Sequence, residues 1–326
     1  MSSENVGAVI DERRNHNHKS GKHKKENAFV KDMKKNWKLH LVGLPVLLFF
    51  LVFSYFPMVG ILTAFMDYRP TRGIFNSEWV GLRYFSNFFS DPQIGLVFRN
   101  TVVMALLNVS VGFIVPVVFA LLLSEIKIKW LNRPIQICSY LPFFVATVVV
   151  CNIVINFTGR NGVIMSILAA FGMKRENLLA NPKYFWTINT IVNIWQGMGY
   201  SAIVFTAAIQ GISKDLHEAA VIDGCGHFKR VLHITLPGIL PMVVTMFVLK
   251  VGLMFSTGFD NILLLYMPST WDTADVISTY TYRLSIGGGN QFGYSAAVGL
   301  FQSVIATILL IGSNWMSRKL TQSSLF

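Results

Sequence analysis

Charge and cysteine are both scarce in this 326-residue sequence. Charged residues make up 13% of the chain, about half the share of a typical soluble domain. The three cysteines, Cys138, Cys151 and Cys225, have no spacing that predicts a disulfide framework. Hydrophobic residues reach 53% and the mean hydropathy is +0.51. So much apolar surface excludes an ordinary water-exposed globule and favours an integral membrane protein.

Motifs for self-contained chemistry are also absent. The sequence has no G-x-x-x-x-G-K-[ST] phosphate loop, no H-E-x-x-H zinc motif and no G-x-S-x-G nucleophile elbow. We therefore predict no catalytic residue, no metal site and no cofactor bound by this chain. A membrane-embedded enzyme acting on lipid or glycan is a weaker alternative, because the outer loops carry scattered carboxylates and no His.

Long apolar runs are what the sequence does contain. A membrane span takes about 20 apolar residues. Six stretches meet this requirement: 39–62, 101–123, 135–157, 187–210, 241–266 and 295–315. They predict an all-α integral membrane fold with six transmembrane helices in one domain, 39–315. A basic tail at 1–38 would precede this domain, and a short end at 316–326 would follow it.

Basic residues are concentrated in the predicted tail, which carries ten Lys or Arg against five acidic side chains. It has almost no apolar periodicity, so we predict a disordered segment. The alternative is an arm that binds nucleic acid. A basic segment beside a first membrane span is the more common case, so we expect no nucleic-acid partner. With the N-terminus inside, cytoplasmic segments hold 18 basic residues and outer loops nine. This asymmetry predicts that both termini are cytoplasmic.

The loop at 211–240 has the strongest local signals. Ser213 is placed to cap a helix that begins at the next residue. Gly224 is placed to end that helix, because glycine accepts the left-handed conformation just past a helix. A second amphipathic turn follows around Phe228, and Pro237 predicts a break before the fifth span.

The loop contains Glu218-Ala219-Ala220, then Asp223-Gly224, then Phe228, then Ile234-Thr235-Leu236-Pro237. These spaced positions resemble the EAA loop of bacterial ABC importer permeases. Stretches at 57–68, 79–82, 100–101, 195–200 and 297–302 are similar to the carbohydrate-uptake, polysaccharide-type branch, which resembles the maltose-type transmembrane subunits. In that family the loop forms coupling helices that dock on an ATPase subunit. The resemblance assigns ATPase coupling to Glu218, Ala219, Ala220, Asp223, Gly224, Phe228 and Pro237. Cys225 departs from the small residue, often Ala, that the family places after the glycine.

The same resemblance implies the function and the partners. The chain would be a permease subunit that moves a carbohydrate, first of all an oligosaccharide, across the cytoplasmic membrane. Its partners would be a second permease, two copies of an ABC ATPase and an external sugar-binding lipoprotein. ATP and Mg²⁺ would bind to the ATPase. A self-contained secondary transporter is the alternative, but no span carries a carboxylate near its middle.

Polar residues within the spans are candidates for the solute path. Four of them on the fourth span are spaced by four, three and four residues, which places them on one helix face. A similar pair lies on the third span. Amides and aromatic rings suit sugar hydroxyls and ring faces, whereas hydrogen bonding between helices explains the same pattern. The candidates are Asn189, Asn193, Gln196, Tyr200, Asn152 and Asn156.

Three residues of the fifth span complete the predicted path. Lys250 lies about 15 Å into the span, where a charge is costly and often functional. The alternative is that its long stem reaches back to the cytoplasmic interface. Phe259 and Asp260 lie near the outer end, where an incoming sugar would be handed over. Asp260 is equally explained as a solvated residue at the membrane edge.

Overall fold

The regular elements of this protein are helices. Its computed structural model describes residues 35–126, 128–255 and 258–321. Within these ranges the one pairing of extended backbone is an isolated bridge between Met66 and Trp79. The predicted all-α fold class is confirmed. Most of the predicted basic tail, and the last residues of the predicted C-terminal end, lie outside the described residues.

The chain divides into two units, residues 1–59 and 60–326. The described part of the first unit begins with helix α1 (Trp37–Phe50), whose side chains are almost all apolar and all exposed. A π-helical turn at Leu51–Tyr55 follows, and a 3-10 stretch at Phe56–Phe65 continues into the second unit. Pro45 lies inside α1, where its missing N–H would be expected to weaken the helix.

The second unit is a series of helices joined by short loops. Helix α3 is 32 residues long and α7 is 29, so each spans more than about 40 Å. The helices are α2 (Arg83–Ser90), α3 (Ile94–Glu125), α4 (Lys129–Phe144), α5 (Thr147–Thr158), α6 (Val163–Ala170), α7 (Pro182–Gln210), α8 (Lys214–Ile222), α9 (His227–Gly252), α10 (Phe259–Leu265), α11 (Trp271–Ala274), α12 (Ile277–Ser285) and α13 (Phe292–Thr321).

Five helical stretches in the described residues are long and apolar enough to cross a membrane. They are Trp37–Phe65, Ile94–Glu125, Thr147–Ala170, His227–Gly252 and Phe292–Lys319. The predicted fourth span, 187–210, lies within α7, which is long enough but is not among the five. Its polar side chains, including Asn189, Asn193 and Gln196, lower its hydropathy. The count of six therefore stays a prediction.

Two predicted spans are interrupted. The third, 135–157, consists of α4 and α5, because Val145 and Ala146 between them have extended backbone. The fifth, 241–266, consists of the end of α9 and helix α10, and Gly258 before α10 has a φ of +89°. Apolar composition continues across both interruptions, so it could not reveal them.

The core is built around α3 and α7. Val117 and Ala120 of α3 pack against Ala202 and Phe205 of α7. A larger cluster joins α7 to α5 and α10 through Cys151, Val192 and Ile262 among others. A third cluster joins α2, α3, α12 and α13. Helix α7 thus packs against α3 and against α4, α5, α9 and α10, the helices that form the two interrupted spans.

A buried polar pair fastens α3 to the segment before α12. The Nδ2 atom of Asn100 donates to the carbonyl oxygens of Asp272 and Asp275, at 3.1 and 3.0 Å. Thr101 accepts from the backbone N–H of Ile277 at 2.9 Å. Both side chains are almost fully buried, so these bonds satisfy groups that would otherwise be costly to bury.

Candidate coupling loop and solute path

The coupling loop, residues 211–240, begins with helix α8 as predicted. The Ser213 hydroxyl oxygen accepts the backbone N–H of Asp215 at 3.2 Å and so caps the helix. Asp215 lies in the first turn, where its negative charge is favourable near the helix N-terminus. The predicted start of this helix is confirmed at Lys214.

A glycine elbow ends α8. The N–H of Cys225 donates to the carbonyl of Ala220 at 2.8 Å, and that of Gly224 donates to Val221 at 3.0 Å. This bond pair is the Schellman arrangement that closes many helices. Gly224 has a φ of +74°, and a Cβ added there would have no heavy atom of the chain within 4 Å. The position therefore needs glycine for its backbone conformation rather than for space within this chain.

Large apolar side chains on the loop are exposed. Ile222 is 85% and Phe228 is 79% exposed, and Leu216 and Val221 are each more than half exposed. Glu218, Ala219 and Asp223 are also exposed, whereas Ala220 is 8% exposed and faces the protein. We call the exposed set the coupling surface: Leu216, Glu218, Ala219, Val221, Ile222, Asp223 and Phe228. Contiguous exposed apolar groups mark interaction sites in proteins.

The predicted break at Pro237 is wrong. Helix α9 runs without interruption from His227 to Gly252, with a π-helical turn at Val231–Thr235 just before the proline. Pro237 lies in the first turn of the regular helix that starts at Leu236. The missing proline N–H is tolerated in a first turn, and the wider preceding turn changes the hydrogen-bond partners there.

A side-chain contact between α3 and the start of α9 was not predicted. Glu125, the last residue of α3, and His227, the first of α9, are joined by a contact of 2.7 Å between Oε2 and Nδ1. Arg230 Nη2 is 2.7 Å from the same Nδ1. Arg230 and Glu125 also line a cleft of about 700 Å³ beside α8. Glu125 and His227 are 102 positions apart in sequence, so no local pattern indicated their contact.

The polar face of α7 takes part in an amide cluster with α10. Asn261 donates from Nδ2 to Asn193 Oδ1 at 2.8 Å and to Gln196 Oε1 at 3.4 Å. Its Oδ1 accepts from the Cys151 thiol of α5 at 3.6 Å. Sequence analysis missed Asn261, because nothing in the apolar run marked where the chain turns back towards α7. We define the amide cluster as Asn189, Asn193, Gln196 and Asn261.

Asn189 is the most enclosed member of the amide cluster. It is 4% exposed, and its Nδ2 is 3.8 Å from the Met104 sulfur of α3. Its Oδ1 has no hydrogen-bond partner among the described residues. The side chain therefore faces α3 in this conformation and does not reach an open surface.

A cleft opens beside the amide cluster, at the interruption between α4 and α5. It has a volume of about 490 Å³, and both Asn193 and Gln196 line it. Its other lining residues are Phe143, Phe144, Val145, Ala146, Thr147 and Gly197. We call it the lateral cleft. It combines amide groups with aromatic side chains, the two kinds of group that suit sugars.

Tyr200 lies next to the lateral cleft and is stacked on one of its walls. Its ring and that of Phe143 are parallel within 3°, with centroids 4.0 Å apart. Both side chains are about half exposed. Gly199 permits this approach of α4 to α7, because a Cβ there would lie 2.1 Å from the Ser139 carbonyl oxygen.

The remaining predicted path residues are dispersed. Asn156 donates to Asn152 within α5, and both are exposed. Lys250 is half-buried and makes no hydrogen bond or ion pair within the described residues. Phe259 packs edge-on against Tyr282 at 5.6 Å, and Asp260 is exposed in the first turn of α10. These five side chains do not join the amide cluster.

The region of α2, α12 and α13 contains a tyrosine cluster that sequence analysis did not single out. The Tyr280 hydroxyl donates to the Asp91 carboxylate and lies 3.3 Å from the Tyr294 hydroxyl. Burial, and then the bond to Asp91, raise the pKa of Tyr280 above its usual range. Tyr280 is 2% exposed, so this cluster serves packing in this part of the chain. No group of three metal-binding side chains occurs among the described residues.

Comparisons with known proteins agree on one class. A family model described as "Binding-protein-dependent transport system inner membrane component" matches residues 112–322. Protein LplB of Bacillus subtilis (strain 168) is 37% identical over 295 residues, which cover 90% of this chain and 92% of LplB. The polygalacturonan/rhamnogalacturonan transport system permease protein YteP of the same strain is 35% identical over 306 residues, covering 94% and 95%.

A solved structure has the same fold. It is a chain of a bacterial ABC transporter involved in the import of the acidic polysaccharide alginate, with a TM-score of 0.83 and 35% sequence identity. The match covers 90% of this chain and 99% of that chain. A second structure shows the alginate transporter in complex with an alginate pentasaccharide-bound periplasmic protein, also with a TM-score of 0.83.

Proposed function

Because the chain belongs to the family of inner membrane components of binding-protein-dependent transport systems, we propose a role for each part of its site. The chain is a multi-pass membrane protein and a permease subunit of an ABC importer for sugars. It is not itself an enzyme, and ATP hydrolysis occurs on a separate subunit.

The coupling surface is proposed to dock on the ATPase. The observation that carries this is the exposure of Ile222 and Phe228 on either side of the Gly224 elbow. These two side chains are mostly exposed and leave large apolar areas in water, and covering those areas is favourable by roughly 25 cal/mol per Å². Glu218, Ala219 and Asp223 are exposed beside them. Ala220 supports the surface from behind, and Pro237 lies further along the loop at the start of the regular part of α9.

The lateral cleft is proposed to contact the carbohydrate. Asn193 and Gln196 offer amide groups, and Phe143 and Tyr200 offer ring faces that can cover the apolar face of a sugar. Asn189, Asn152, Asn156, Lys250, Phe259 and Asp260 are proposed to act in the same path in other conformations of the importer.

An oligosaccharide is the proposed substrate, with uronate-containing oligosaccharides the first to test. Two similar proteins support this choice: YteP is named for polygalacturonan and rhamnogalacturonan, and the solved transporter imports alginate. Lys250 supports it as well, because a half-buried cation with no partner among the described residues could pair with a carboxylate.

The assembly is proposed to hold this chain, a second permease and two copies of an ABC ATPase. A binding protein is a partner of this class of system, and we propose that here it is a lipoprotein outside the cytoplasmic membrane. Both chain termini are proposed to be cytoplasmic, from the distribution of Lys and Arg. ATP and Mg²⁺ would bind to the ATPase, with no cofactor on this chain.

A charge at the elbow tests the docking role. Asp and Asn have the same size and both tolerate a positive φ, and neither would collide with the chain at position 224. We expect Gly224→Asp to lose the co-purifying ATPase and sugar uptake, because it puts a negative charge inside the contact. The matched variant Gly224→Asn should keep the ATPase if the added charge prevents docking. It should lose the ATPase if the added size of the side chain prevents docking. Retention of the ATPase and normal uptake with both variants would contradict the docking role.

Replacing one amide tests the lateral cleft. We expect Gln196→Ala to change the rate or the selectivity of uptake across a panel of oligosaccharides, including oligogalacturonides and oligoalginates. The control is Thr307→Ala, since Thr307 is exposed on α13 and its hydroxyl donates to the Ser303 carbonyl of the same helix. Unchanged uptake of every sugar by Gln196→Ala would assign Gln196 a purely structural role.

A further inference from the structure

One ring nitrogen at the start of α9 has two competing neighbours. His227 Nδ1 is 2.7 Å from the carboxylate oxygen Oε2 of Glu125 and 2.7 Å from Nη2 of Arg230. A carboxylate only accepts hydrogen bonds, and a guanidinium only donates them. Nδ1 carries either a proton or a lone pair, so it can satisfy Glu125 or Arg230 but not both together.

The presence or absence of a proton on His227 Nδ1 decides between these two contacts. In the imidazolium form both nitrogens donate, so Nδ1 bonds to Glu125 and has no lone pair for Arg230. In a neutral ring that accepts at Nδ1, Arg230 is bound and Glu125 faces a lone pair. A neutral ring that keeps its proton on Nδ1 still bonds to Glu125, but without the attraction of the imidazolium charge. Loss of the ring charge therefore weakens the Glu125 contact and permits the Arg230 contact.

The surrounding charges leave this competition open. Arg230 Nε is buried and has no acceptor among the described residues, so the guanidinium is not held by a full set of bonds. Glu125 is about one-third exposed, and His227 is about two-thirds exposed. The other titratable or charged groups that line the same cleft or lie on the adjoining turns are Lys214, His217, Glu218, Asp223, Lys229 and His233.

This contact lies at the coupling-loop end of helices that also pack on one another further along, where Val117 and Ala120 of α3 meet Met242 and Met246 of α9. Glu125 and His227 are 102 positions apart. Covalent connections link α8 to α7 and, through the Gly224 elbow, to α9. Neither connection reaches α3. Glu125 is the terminal residue of α3, so its bond to His227 ties this helix directly to the segment that follows the elbow.

We propose that Glu125, His227 and Arg230 form a proton-sensitive tie through which movement of the coupling loop reaches α3. These are positioning residues: they touch neither ATP nor sugar. The proposal rests on the coupling role of loop 211–240. When His227 is protonated, the tie to Glu125 is closed and α3 follows the loop. When His227 is neutral and its Nδ1 is unprotonated, Arg230 takes the place of Glu125, and the end of α3 loses this tie.

Asparagine at position 227 tests the tie. Its amide lies close to the position of Nδ1, offers both a donor and an acceptor, and does not titrate. The matched control is His233→Asn, because His233 lies on the same helix and its Nδ1 contacts only the Lys229 carbonyl, at 3.0 Å. The whole importer, with ATPase, second permease and binding protein, is purified into nanodiscs. MgATP hydrolysis is then measured from about pH 6 to pH 8.

A selective change in the pH profile is the expected result. Hydrogen bonds to charged groups are strong enough to shift a two-state equilibrium about tenfold. We therefore expect the ratio of wild-type to His227→Asn hydrolysis to change about threefold or more across the range. The ratio for His233→Asn should stay constant. Glu125→Gln should flatten the profile in the same way as His227→Asn.

A distance measurement gives an independent readout. Spin labels replace Ser124 and Lys229, both exposed, and the native cysteines are replaced by Ala. Without nucleotide, we expect a longer and broader distance distribution near pH 8 than near pH 6, and no such change after His227→Asn. Equal pH dependence of the distance and of hydrolysis in wild type and His227→Asn would overturn the tie.

Failure of the tie and failure of the coupling role are distinguishable. If the ATPase still co-purifies with His227→Asn but the pH profiles are unchanged, the tie is wrong and docking stands. If the ATPase is lost from His227→Asn, this histidine serves docking itself and the proposed tie is also wrong. Normal uptake by both Gly224 variants would contradict the coupling role of loop 211–240, on which the proposed tie rests.

Discussion

Two glycines of α7, Gly197 and Gly199, have different surroundings although they are two positions apart. A Cβ on Gly199 would lie 2.1 Å from the Ser139 carbonyl oxygen and 2.9 Å from the Tyr140 backbone nitrogen. A Cβ on Gly197 would have no heavy atom within 4 Å. Backbone atoms cannot move aside as a flexible side chain can, so at Gly199 the contact between α4 and α7 depends on the absence of a side chain.

This difference gives a stability prediction. Gly199→Ala should destabilise the protein by about 1–3 kcal/mol, because overpacking forces the backbones apart. Thermal unfolding of the purified chain in detergent measures the effect. Gly197→Ala is the control, and it should unfold at the same temperature or slightly higher, since Ala favours helix. Equal melting temperatures for Gly199→Ala and wild type would mean that α4 lies further from α7 than described.

At the scale of elements, the amide cluster compensates for an interrupted helix. Helix α10 is seven residues long, too short to be stable alone. Asn261 bonds it to Asn193 and Gln196 of α7, while Ile262 and Leu265 pack in the core cluster. The short helix is thus held by its neighbours and not by its own length.

The Asn193–Asn261 bond can be measured by a double-mutant cycle. Replacing both residues by Ala, singly and together, should give a coupling of about 0.6 kcal/mol, up to about 1.7 kcal/mol, as found between membrane helices. Asn152 and Asn156 provide a control cycle, because they are exposed and bond within α5 alone. A coupling near zero for Asn193 and Asn261 would show that packing alone holds α10.

Sequence patterns predicted the loop elements better than the interrupted helices. Ser213 and Gly224 follow local rules for helix caps, and both act as those rules require. The break predicted at Pro237 was wrong, because a proline in the first turn of a helix does not interrupt it. The sequence did not show in which turn Pro237 lies. Asn261 and the Glu125–His227 contact were missed because they depend on residues far apart in sequence. Tertiary contacts of this kind leave no local signal.

At the scale of the whole molecule, the distribution of basic residues predicts which side of the membrane each loop faces. Cys225 lies in the coupling loop, is half-buried, and should be on the cytoplasmic side. Phe75 is fully exposed in a loop that should face outwards. Cys151 is buried and should not react with thiol reagents in the folded protein.

Labelling of single cysteines tests this orientation. With Cys225 as the one cysteine, a membrane-impermeant maleimide should react only after the cells are permeabilised. With Phe75→Cys as the one cysteine, it should react in intact cells from which the cell wall has been removed. The opposite pattern would place the coupling loop outside and would exclude a cytoplasmic ATPase as its partner.

The stacked pair of Phe143 and Tyr200 has one more consequence. Each ring already covers one face of the other, with centroids 4.0 Å apart. A sugar that stacks on that face must therefore displace the other aromatic ring. A pyranose ring that separates the pair restores the lost contact with its own apolar face. An open-chain polyol of equal polarity has no such face to offer. The pair therefore favours cyclic sugars before any hydroxyl group is recognised.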